Sequence, residues 1–426
     1  MAERLYSIVM PTRERADVLH FAITTILNLT RSNYELVVMD NCGSPATRQV
    51  VEAFASPRIR YFRAPERLAM ADNWERGLEQ ARGNYLTFLG DDDGIMPDAL
   101  DVAERFHDER PDAILSWLPF TWVWPDAVAE HHRNLAQMHF GRQIGRLDSR
   151  DFLKDVLASK KDWTTLPTLY CSFVPRQVIE RSRRAHGRYF LASLPDVFSG
   201  VANLLSCDEF FYSSRPLTCW GISRHSTGAG EYYQAGTAGE RFEAERRAAG
   251  GDPWHPQVSG ADLIVEVRIF DVYLKLKDLL FPNDDDLRID MPALLRHVAG
   301  ISAARLAHRR EEVRQAVEEM AVKNGLDPAS FPVTSAPEPA LDRFGYQLLP
   351  GAEEMVKYHH FTDPSHIRTI ADFVDYAFGM TVPPERVLMP VDTGSAATGD
   401  RRGARRIARS LVRRIAGRRS AVAAAS

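Results

Sequence analysis

Cysteine is scarce in this chain. Only four of its 426 residues are cysteines, and none of them forms a Cys-x-x-Cys pair; they are Cys42, Cys171, Cys207 and Cys219. Structural zinc ribbons need closely spaced cysteine pairs, and secreted disulfide frameworks need more cysteines in a shorter chain. The sequence therefore excludes a zinc ribbon and favours a reducing compartment, the cytoplasm.

Long apolar segments are absent as well. No run of residues approaches the roughly 18 consecutive apolar positions that a membrane-spanning helix needs. The first residues, Met1 to Tyr6, lead into a predicted strand without the apolar stretch of a secretory signal. We therefore expect a cytoplasmic protein, with the 45% hydrophobic and 26% charged residues of an ordinary globular chain.

The turn after the first predicted strand contains no glycine. Predicted strands at 5–10, 34–39, 59–62, 85–89 and 113–117 alternate with predicted helices at 16–29, 47–54, 72–81 and 97–110. Such alternation with short connections predicts an α/β fold built on a parallel sheet. The turn Pro11–Arg15 lacks the Gly-x-Gly-x-x-Gly pattern, and the chain has no Walker-type loop, so those two nucleotide-binding solutions are excluded.

An apolar strand that ends in three consecutive carboxylates is the most distinctive stretch of the sequence. Residues 85–89 read Tyr-Leu-Thr-Phe-Leu, and they are followed by Gly90, Asp91, Asp92 and Asp93. Ligands of open α/β sheets bind just beyond the carboxyl ends of the strands. Adjacent carboxylates repel one another, and oxygen ligands suit Mg²⁺ or Mn²⁺, so a divalent-cation site is one interpretation. An acidic turn in solvent is the other.

The order of motifs along the chain resembles the family 2 glycosyltransferases of the GT-A fold. The resemblance covers about residues 5–230 and is carried by Val9-Met10-Pro11-Thr12-Arg13-x-Arg15, Val37-Val38-Met39-Asp40-Asn41, Asn73, Ala81-Arg82-Gly83-x-Tyr85, and the acidic motif closed by Pro97. It implies an α/β nucleotide-diphospho-sugar transferase core with a mostly parallel sheet. It also implies a nucleoside diphosphate sugar, most simply of the UDP type, as the donor.

The resemblance assigns a donor-binding role to one group of residues. Asp40 matches the family residue that contacts the nucleotide base, and the other predicted donor contacts are Pro11, Thr12, Arg13, Arg15, Asn41, Arg67, Asn73, Asp91 and Asp93. Gly90 stands where the family commonly has the first acid of its metal motif. We therefore expect Asp91, Asp92 and Asp93 to be the metal ligands, with Asp92 as the principal one.

Two further residues receive roles from the resemblance. Asp196 stands where inverting relatives hold the carboxylate that deprotonates the acceptor hydroxyl, although it also precedes an apolar-periodic segment and could be a helix N-cap. Asp208 and Glu209 are the alternatives for the base. His225, followed by Ser, Thr and Gly, suits a turn that faces the metal or the diphosphate, although a lone loop histidine can equally be exposed.

The C-terminal part of the chain has a different pattern. Helical spacing predicts an accessory domain at 255–385 after a glycosyltransferase domain at 1–235, with helices at 261–280, 292–324 and 367–378. The pair His359-His360 is interpreted as surface. The tail at 400–426 contains nine arginines between 401 and 420 and predicts a basic amphipathic helix on an anionic membrane surface. No aromatic residue is interleaved with these arginines, so nucleic acid is not expected as a partner.

Together these features predict a metal-dependent glycosyltransferase that is peripheral to a membrane. The expected reaction moves a sugar from a nucleoside diphosphate sugar to a hydroxyl of a glycan or lipid-linked saccharide. We expect inversion at the anomeric carbon with Asp196 as the base. A retaining transfer, and a non-catalytic domain that binds nucleotide sugars or glycans, remain the alternatives.

Overall fold

The fold is described from a computed structural model that covers residues 4–127, 130–192, 194–226, 253–258, 264–305, 309–334, 343–348 and 354–390. Within these residues the chain forms two β-sheets with helices packed around them. This is the predicted α/β class, and three helices lie between residues 265 and 323, ahead of the last two strands of the described chain. The basic tail at 400–426 lies outside the described residues.

The larger sheet has eight strands. They are β1 (Tyr6–Thr12), β2 (Tyr34–Asp40), β3 (Ile59–Arg63), β4 (Tyr85–Phe88), β6 (Leu115–Trp117), β9 (Ile144–Asp148), β10 (Ser172–Pro175) and β11 (Glu209–Ser213). Their spatial order is β3-β2-β1-β4-β10-β6-β11-β9. The first four are parallel neighbours, whereas β10 runs antiparallel to both β4 and β6. The sheet is therefore parallel over the predicted βαβ units and mixed beyond them.

The carboxyl ends of β1, β2 and β4 meet at one edge of this sheet. Thr12 pairs with Asp40, whereas the ladder between β1 and β4 ends at Val9 and Phe88. Contrary to the predicted stop at Pro11, β1 continues through that proline to Thr12, because its pairing with β2 outlasts its pairing with β4. The polar residues that follow these strands are thereby brought to a common edge.

A second sheet of six strands was not predicted. Its strands are β5 (Gly94–Ile95), β7 (Phe120–Val123), β8 (Leu135–Phe140), β12 (Thr218–Ile222), β13 (Arg343–Leu348) and β14 (Glu354–Phe361), in the order β13-β14-β8-β7-β12-β5. The surface interpretation of His359 and His360 is wrong, because both are buried in β14 and His360 contacts the Tyr376 hydroxyl at 2.9 Å.

Helices cover both sheets. They are α1 (Ala16–Leu27), α2 (Pro45–Ala53), α3 (Met70–Gln80), α4 (Ala99–Glu109), α5 (Ser149–Leu157), α6 (Arg176–His186), α7 (Pro195–Leu205), α8 (Val265–Leu280), α9 (Met291–Arg305), α10 (Arg310–Lys323) and α11 (Ile370–Phe378). The single helix predicted at 292–324 is in fact two, α9 and α10, which pack against each other. Among the described residues, no helix is both long and apolar enough to cross a bilayer.

The hydrophobic core lies on both faces of the larger sheet. Alternate residues of β1 point to opposite faces, so Val9 joins one cluster and Ile8 joins the other. Helices α8, α9 and α10 contribute to the same cluster as Val9 and α7, whereas α11 packs in the cluster of Ile8. The C-terminal region thus packs on the core that supports the carboxyl edge of the sheet. Its division into a separate accessory domain stays a prediction.

Candidate active site

Asp91 joins the end of β4 to the turn after β1. Its Oδ2 accepts a hydrogen bond from Thr12 Oγ1 at 2.7 Å, and its Oδ1 accepts one from Arg15 Nη1 at 2.8 Å. Arg15 Nη2 also donates to the His225 carbonyl oxygen at 2.6 Å. A charge-assisted pair of this kind is among the stronger protein hydrogen bonds. Asp91 therefore fixes a guanidinium at the edge where a diphosphate is expected.

Asp92 is held by the loop after β12. Its Oδ2 accepts hydrogen bonds from the hydroxyls of Ser223 and Ser226, both at 2.6 Å, and its carbonyl oxygen accepts one from Trp124 Nε1 at 3.2 Å. Its other carboxylate oxygen, Oδ1, accepts no hydrogen bond from any residue within the described ranges. Two serine hydroxyls thus fix Oδ2 of Asp92, whereas Oδ1 can bind a ligand.

Asp93 braces the turn itself. Its Oδ2 accepts from the Gly90 backbone N–H at 3.0 Å, and its Oδ1 accepts from the Gly221 backbone N–H at 2.7 Å. A Cβ added at Gly90 would lie only 2.5 Å from Asp93 Oδ2. The Asp93 carboxylate therefore occupies the space that a side chain at position 90 would need.

The electrostatics of the turn favour a bound cation. Burial raises the pKa of Asp91; the nearby Arg15 guanidinium lowers it and the Asp92 carboxylate raises it, and the net change is upward. Burial and the Asp92 carboxylate also hold the pKa of Asp93 well above its usual range. Burial by itself would lower the pKa of Arg15, but the combined attraction of the Asp91 and Asp92 carboxylates is the larger effect and raises that pKa. A cation bound at this turn would offset the repulsion between the neighbouring carboxylates that contributes to these raised pKa values.

The donor atoms fit a hard cation that is shared with a substrate. Within the described residues, no three His, Cys, Asp or Glu side chains converge on a single metal position. Mg²⁺ is commonly bound by one or two carboxylates together with substrate phosphates, not by a cage made entirely of protein. Asp92 Oδ1 supplies such a carboxylate oxygen. The neighbouring oxygen atoms of Asp91 and Asp93 are already engaged with Thr12, Arg15 and two backbone amides.

His225 reaches this edge through its backbone. Its carbonyl oxygen accepts from Arg15, whereas its imidazole Nε2 lies 2.8 Å from Asp17 Oδ2 on α1. Arg224 donates to the same Asp17 oxygen at 2.7 Å. These two contacts fasten the loop after β12 to α1. Because the imidazole is engaged with Asp17, we leave His225 out of the proposed metal ligands.

Asp40 lies at the end of β2 and is fully buried. Its Oδ1 accepts from the Gly43 backbone N–H at 2.7 Å, and its Oδ2 accepts from the Tyr61 hydroxyl at 2.6 Å. Burial and the bond to Asp40 raise the pKa of Tyr61, so its hydroxyl stays a donor. Both carboxylate oxygens of Asp40 are thus hydrogen-bonded within the fold, and these contacts shape the turn that follows β2.

Asn41 locks the loop between β3 and α3. Its side-chain amide donates to the Leu68 carbonyl at 2.9 Å and accepts from the Leu68 N–H at 2.8 Å. The neighbouring Arg67 is exposed in the same loop. Asn73, on α3, is buried and donates to the Met39 carbonyl at 3.3 Å. The predicted donor contacts on this side thus converge around the end of β2.

The remaining two predicted donor contacts lie at the carboxyl end of β1. Pro11 lies within β1 and pairs with Met39, and Arg13 is partly exposed just beyond the end of the strand. The structure therefore places the predicted donor residues along the ends of β1, β2 and β4, with Asn73 beside them on α3.

Asp196 lies in the first turn of α7. The N-cap of this helix is Leu194 and Pro195 is its first residue, so the alternative interpretation of Asp196 as the N-cap is wrong. Its Oδ1 accepts from the Val197 N–H at 2.9 Å, and burial raises the pKa of its carboxyl. A carboxylate whose pKa is raised by burial is better matched to proton abstraction near neutral pH.

Hydrogen bonds connect this turn of α7 to β4. Ser199 Oγ donates to the Asp196 carbonyl at 2.7 Å and accepts from the Leu169 N–H at 3.1 Å. The Leu169 carbonyl in turn accepts from Thr87 Oγ1 at 3.1 Å. Asp196 is thereby positioned relative to the strand that carries the acidic turn.

Asp208 and Glu209 lie beyond the other end of α7. The helix has eleven residues, which corresponds to a length of about 16 Å. Asp208 is exposed, and Glu209 pairs with Arg146 on the neighbouring strand. Their position favours Asp196 over both alternatives for a role beside the acidic turn.

Three contacts of the acidic turn were missed by sequence reasoning. In the aromatic stretch 117–124, the side chains of Trp117, Phe120 and Trp122 are fully buried. Trp124 instead donates to the Asp92 carbonyl, and a Cβ added at Gly221 would lie 1.8 Å from that oxygen. Ser223 and Ser226 have no local pattern that marks them as partners of an aspartate about 130 residues away.

Comparison with known proteins identifies the class of this domain. Residues 7–168 match the family profile described as glycosyl transferase family 2. The predicted family 2 glycosyltransferase domain is therefore confirmed over this segment. The matched segment includes the end of β4 and the acidic turn, and it ends before Tyr170 and Asp196.

Several curated proteins are similar to the same part of the chain. A GalNAc(5)-diNAcBac-PP-undecaprenol beta-1,3-glucosyltransferase of Campylobacter jejuni is 29% identical over 157 residues, which cover 36% of this chain and 48% of the relative. A UDP-Glc:alpha-D-GlcNAc-diphosphoundecaprenol beta-1,3-glucosyltransferase of Escherichia coli is 31% identical over 102 residues, covering 24% and 40%. The chain spans less than half the length of these relatives.

Among solved structures, the chain is similar to S. aureus TarS 1-349 in complex with UDP-GlcNAc. The two share 13% sequence identity at a TM-score of 0.43, with 84% of this chain and 97% of the other covered.

Proposed function

We propose that this protein is a glycosyltransferase that moves a sugar from a nucleoside diphosphate sugar to a hydroxyl acceptor. The observation that carries the proposal is the acidic turn at the carboxyl end of β4. There one carboxylate oxygen of Asp92 accepts no hydrogen bond from the residues that the structure describes, and Asp91 holds the Arg15 guanidinium nearby. At this edge of the sheet the Asp92 carboxylate could bind a metal cation, and the Arg15 guanidinium could bind the diphosphate.

Different residues of the acidic turn would bind different parts of the donor complex. Asp92 would ligate a divalent cation, and Asp91 would hold Arg15 for the diphosphate oxygens. When bound, Mg²⁺ or Mn²⁺ would offset the negative charge that develops on the leaving nucleoside diphosphate. The residues at the end of β2 would surround the nucleotide, with the loop of Leu68 fixed by Asn41.

Asp196 would act on the acceptor. Its carboxylate would accept the proton of the acceptor hydroxyl while the acceptor oxygen forms a bond to the anomeric carbon. The bond from that carbon to the diphosphate oxygen would break in the same displacement, with inversion. The raised pKa of Asp196 supports this role, and so does the hydrogen-bonded connection of its helix turn to β4.

The relatives suggest the substrates. The names of these relatives include UDP-Glc as a donor and undecaprenyl-linked saccharides as acceptors. We therefore propose a UDP-type donor and a glycan or lipid-linked saccharide acceptor for this protein.

A membrane-bound acceptor would agree with the basic tail at 400–426 and with a cytoplasmic enzyme on the inner membrane face. Each basic residue near an anionic surface contributes about 1 kcal/mol to binding. Deleting residues 400–426 should abolish sedimentation with phosphatidylserine vesicles and leave donor hydrolysis intact. Equal sedimentation of the truncated and full-length chains would contradict the membrane role.

A direct test of the proposed function is release of nucleoside diphosphate. The full-length protein would be incubated with UDP-, GDP- and dTDP-glucose in the presence of Mn²⁺ or Mg²⁺, with and without EDTA. We expect slow, EDTA-sensitive hydrolysis of one donor, which accelerates when an acceptor extract is added. Binding without any turnover would favour the non-catalytic alternative, and no binding to any donor would contradict the proposal.

A further inference from the structure

We propose that Tyr170 binds the transferred sugar of the donor through its hydroxyl, and that it helps to select that sugar. This inference rests on the proposed function and adds a residue to it. Tyr170 lies in the 3-10 turn Leu169–Cys171, just before β10 and outside the segment that matches the family profile.

The ring of Tyr170 is held in a column of aromatic side chains. It stacks on Trp74 with ring centroids 5.2 Å apart, and Trp74 stacks on Phe88 at 4.8 Å, with interplanar angles of 24° and 21°. Trp74 also meets the edge of the Phe190 ring at 5.6 Å. Because Phe88 is the last residue of β4, the column orients Tyr170 relative to the acidic turn. A binding group fixed in this way loses little conformational entropy when a ligand arrives.

The hydroxyl of Tyr170 lies beside the acidic turn and has no protein partner within the described residues. A Cβ added at Gly90 would lie 3.0 Å from this oxygen. Within the described residues this hydroxyl makes no hydrogen bond, and its oxygen is not fully buried, so a ligand can reach it. The backbone of the turn, by contrast, is fixed, because Tyr170 N–H donates to Thr168 Oγ1 at 3.2 Å.

The phenolic hydroxyl of Tyr170 can donate a hydrogen bond as well as accept one. Because the ring stack fixes this side chain beside the acidic turn, the hydroxyl can donate to an oxygen atom of a ligand bound there. A sugar offers hydroxyl oxygens for such a bond, and its apolar ring face can contact the partly exposed tyrosine ring.

The order of strands identifies which part of the donor would meet this hydroxyl. Along the sheet, β2 is followed by β1, β4 and β10. The proposed nucleotide contacts lie at β2, the diphosphate contacts at β1 and β4, and Tyr170 at the start of β10. Leu169, its neighbour, is bonded to Ser199 in the helix of the proposed base Asp196. The group between the diphosphate and the acceptor is the transferred sugar.

The test compares the affinities of a nucleotide sugar and its nucleoside diphosphate. Isothermal titration would use the donor that binds the wild-type chain among UDP-, GDP- and dTDP-glucose, and the matching diphosphate, both with Mn²⁺. In Tyr170→Phe the column is kept and one hydroxyl is lost. We expect donor affinity to fall about fivefold to tenfold, as for one hydrogen bond, and diphosphate affinity to stay within twofold.

Tyr34→Phe provides a matched control. It removes a hydroxyl that accepts a hydrogen bond from Arg58 at the opposite end of β2, so both affinities should match the wild type. Equal affinities of Tyr170→Phe and wild type for the donor would overturn the inference and leave the proposed function standing. An equal loss for donor and diphosphate would also overturn it, because Tyr170 would then act on the diphosphate or on the turn. Failure of the wild type to bind any donor would overturn both proposals.

Discussion

The acidic turn after β4 and the first turn of α7 both contain aspartates whose pKa is raised by burial, but their partners differ. Asp91 and Asp93 are bonded to Thr12, Arg15 and two backbone amides from distant parts of the chain. The Asp196 carboxylate accepts only from the neighbouring Val197 N–H within the described residues. Carboxylates that several hydrogen bonds hold in place are preorganised for charged ligands, whereas a carboxylate with a single partner is free to take a proton.

The largest effect that this comparison predicts belongs to Asp196→Asn. Asparagine keeps the size of the side chain and an oxygen for the Val197 N–H, but it cannot accept the acceptor proton. Sugar transfer should fall by about 100-fold or more, the usual scale for loss of a general base, while donor affinity stays near that of the wild type. Steady-state transfer rates and titration of the donor measure the two quantities. Near-normal transfer would contradict the base role and favour a retaining reaction.

The stability of the same variant gives a second check. Burial raises the folded pKa of Asp196 above its unfolded value, so the folded state binds the proton more tightly. The ionised carboxylate therefore lowers the stability of the fold as pH rises from the unfolded pKa through the folded pKa. Asparagine carries no charge to bury, so thermal unfolding near pH 7 should show little loss of stability.

A smaller effect is expected in the acidic turn itself from Gly90→Ala. The new Cβ would approach Asp93 Oδ2 to 2.5 Å and must push that carboxylate from the Gly90 and Gly221 amides. Overpacking of this kind costs about 1–3 kcal/mol, which thermal unfolding can measure. Gly300→Ala is the control and should be neutral or stabilising, since the added Cβ meets no atom of the described residues within 4 Å apart from its own helix backbone and chain neighbours. Equal unfolding temperatures of Gly90→Ala and the wild type would contradict the bracing role of Asp93.

Much of the fold could be predicted because it is encoded locally. Apolar runs such as 85–89 and the helical spacing between them define β1 to β4 and α1 to α4 within a few residues. The second sheet could not be predicted in this way. Its strand β8 pairs with β14, which is more than 200 residues further along the chain, and no local pattern records such a pairing. The break between α9 and α10 was also missed, because the apolar spacing continues across it.

The candidate site was predictable to a similar extent. The acidic turn and the end of β2 follow directly from strand ends, so their convergence could be expected. Trp124, Tyr170, Ser223 and Ser226 could not be found from local patterns, because they reach the turn from later parts of the chain. The role of Gly90 was likewise visible only in the structure, where its missing side chain leaves room for the Asp93 carboxylate.

The most direct test of the account is Mn²⁺-dependent binding of UDP, or of the diphosphate that the donor screen selects, to Asp92→Asn. The substitution keeps an oxygen for Ser223 and Ser226 but removes the charge that would hold the cation. Asp151→Asn, at a side chain that is 80% exposed, is the matched control. Calorimetric titration should show that wild type and the control bind the diphosphate only with Mn²⁺, and that Asp92→Asn shows no Mn²⁺-dependent binding. Thermal unfolding should show that Asp92→Asn melts at nearly the wild-type temperature. Unchanged, EDTA-sensitive binding by Asp92→Asn would contradict the assignment of the cation to the acidic turn through Asp92.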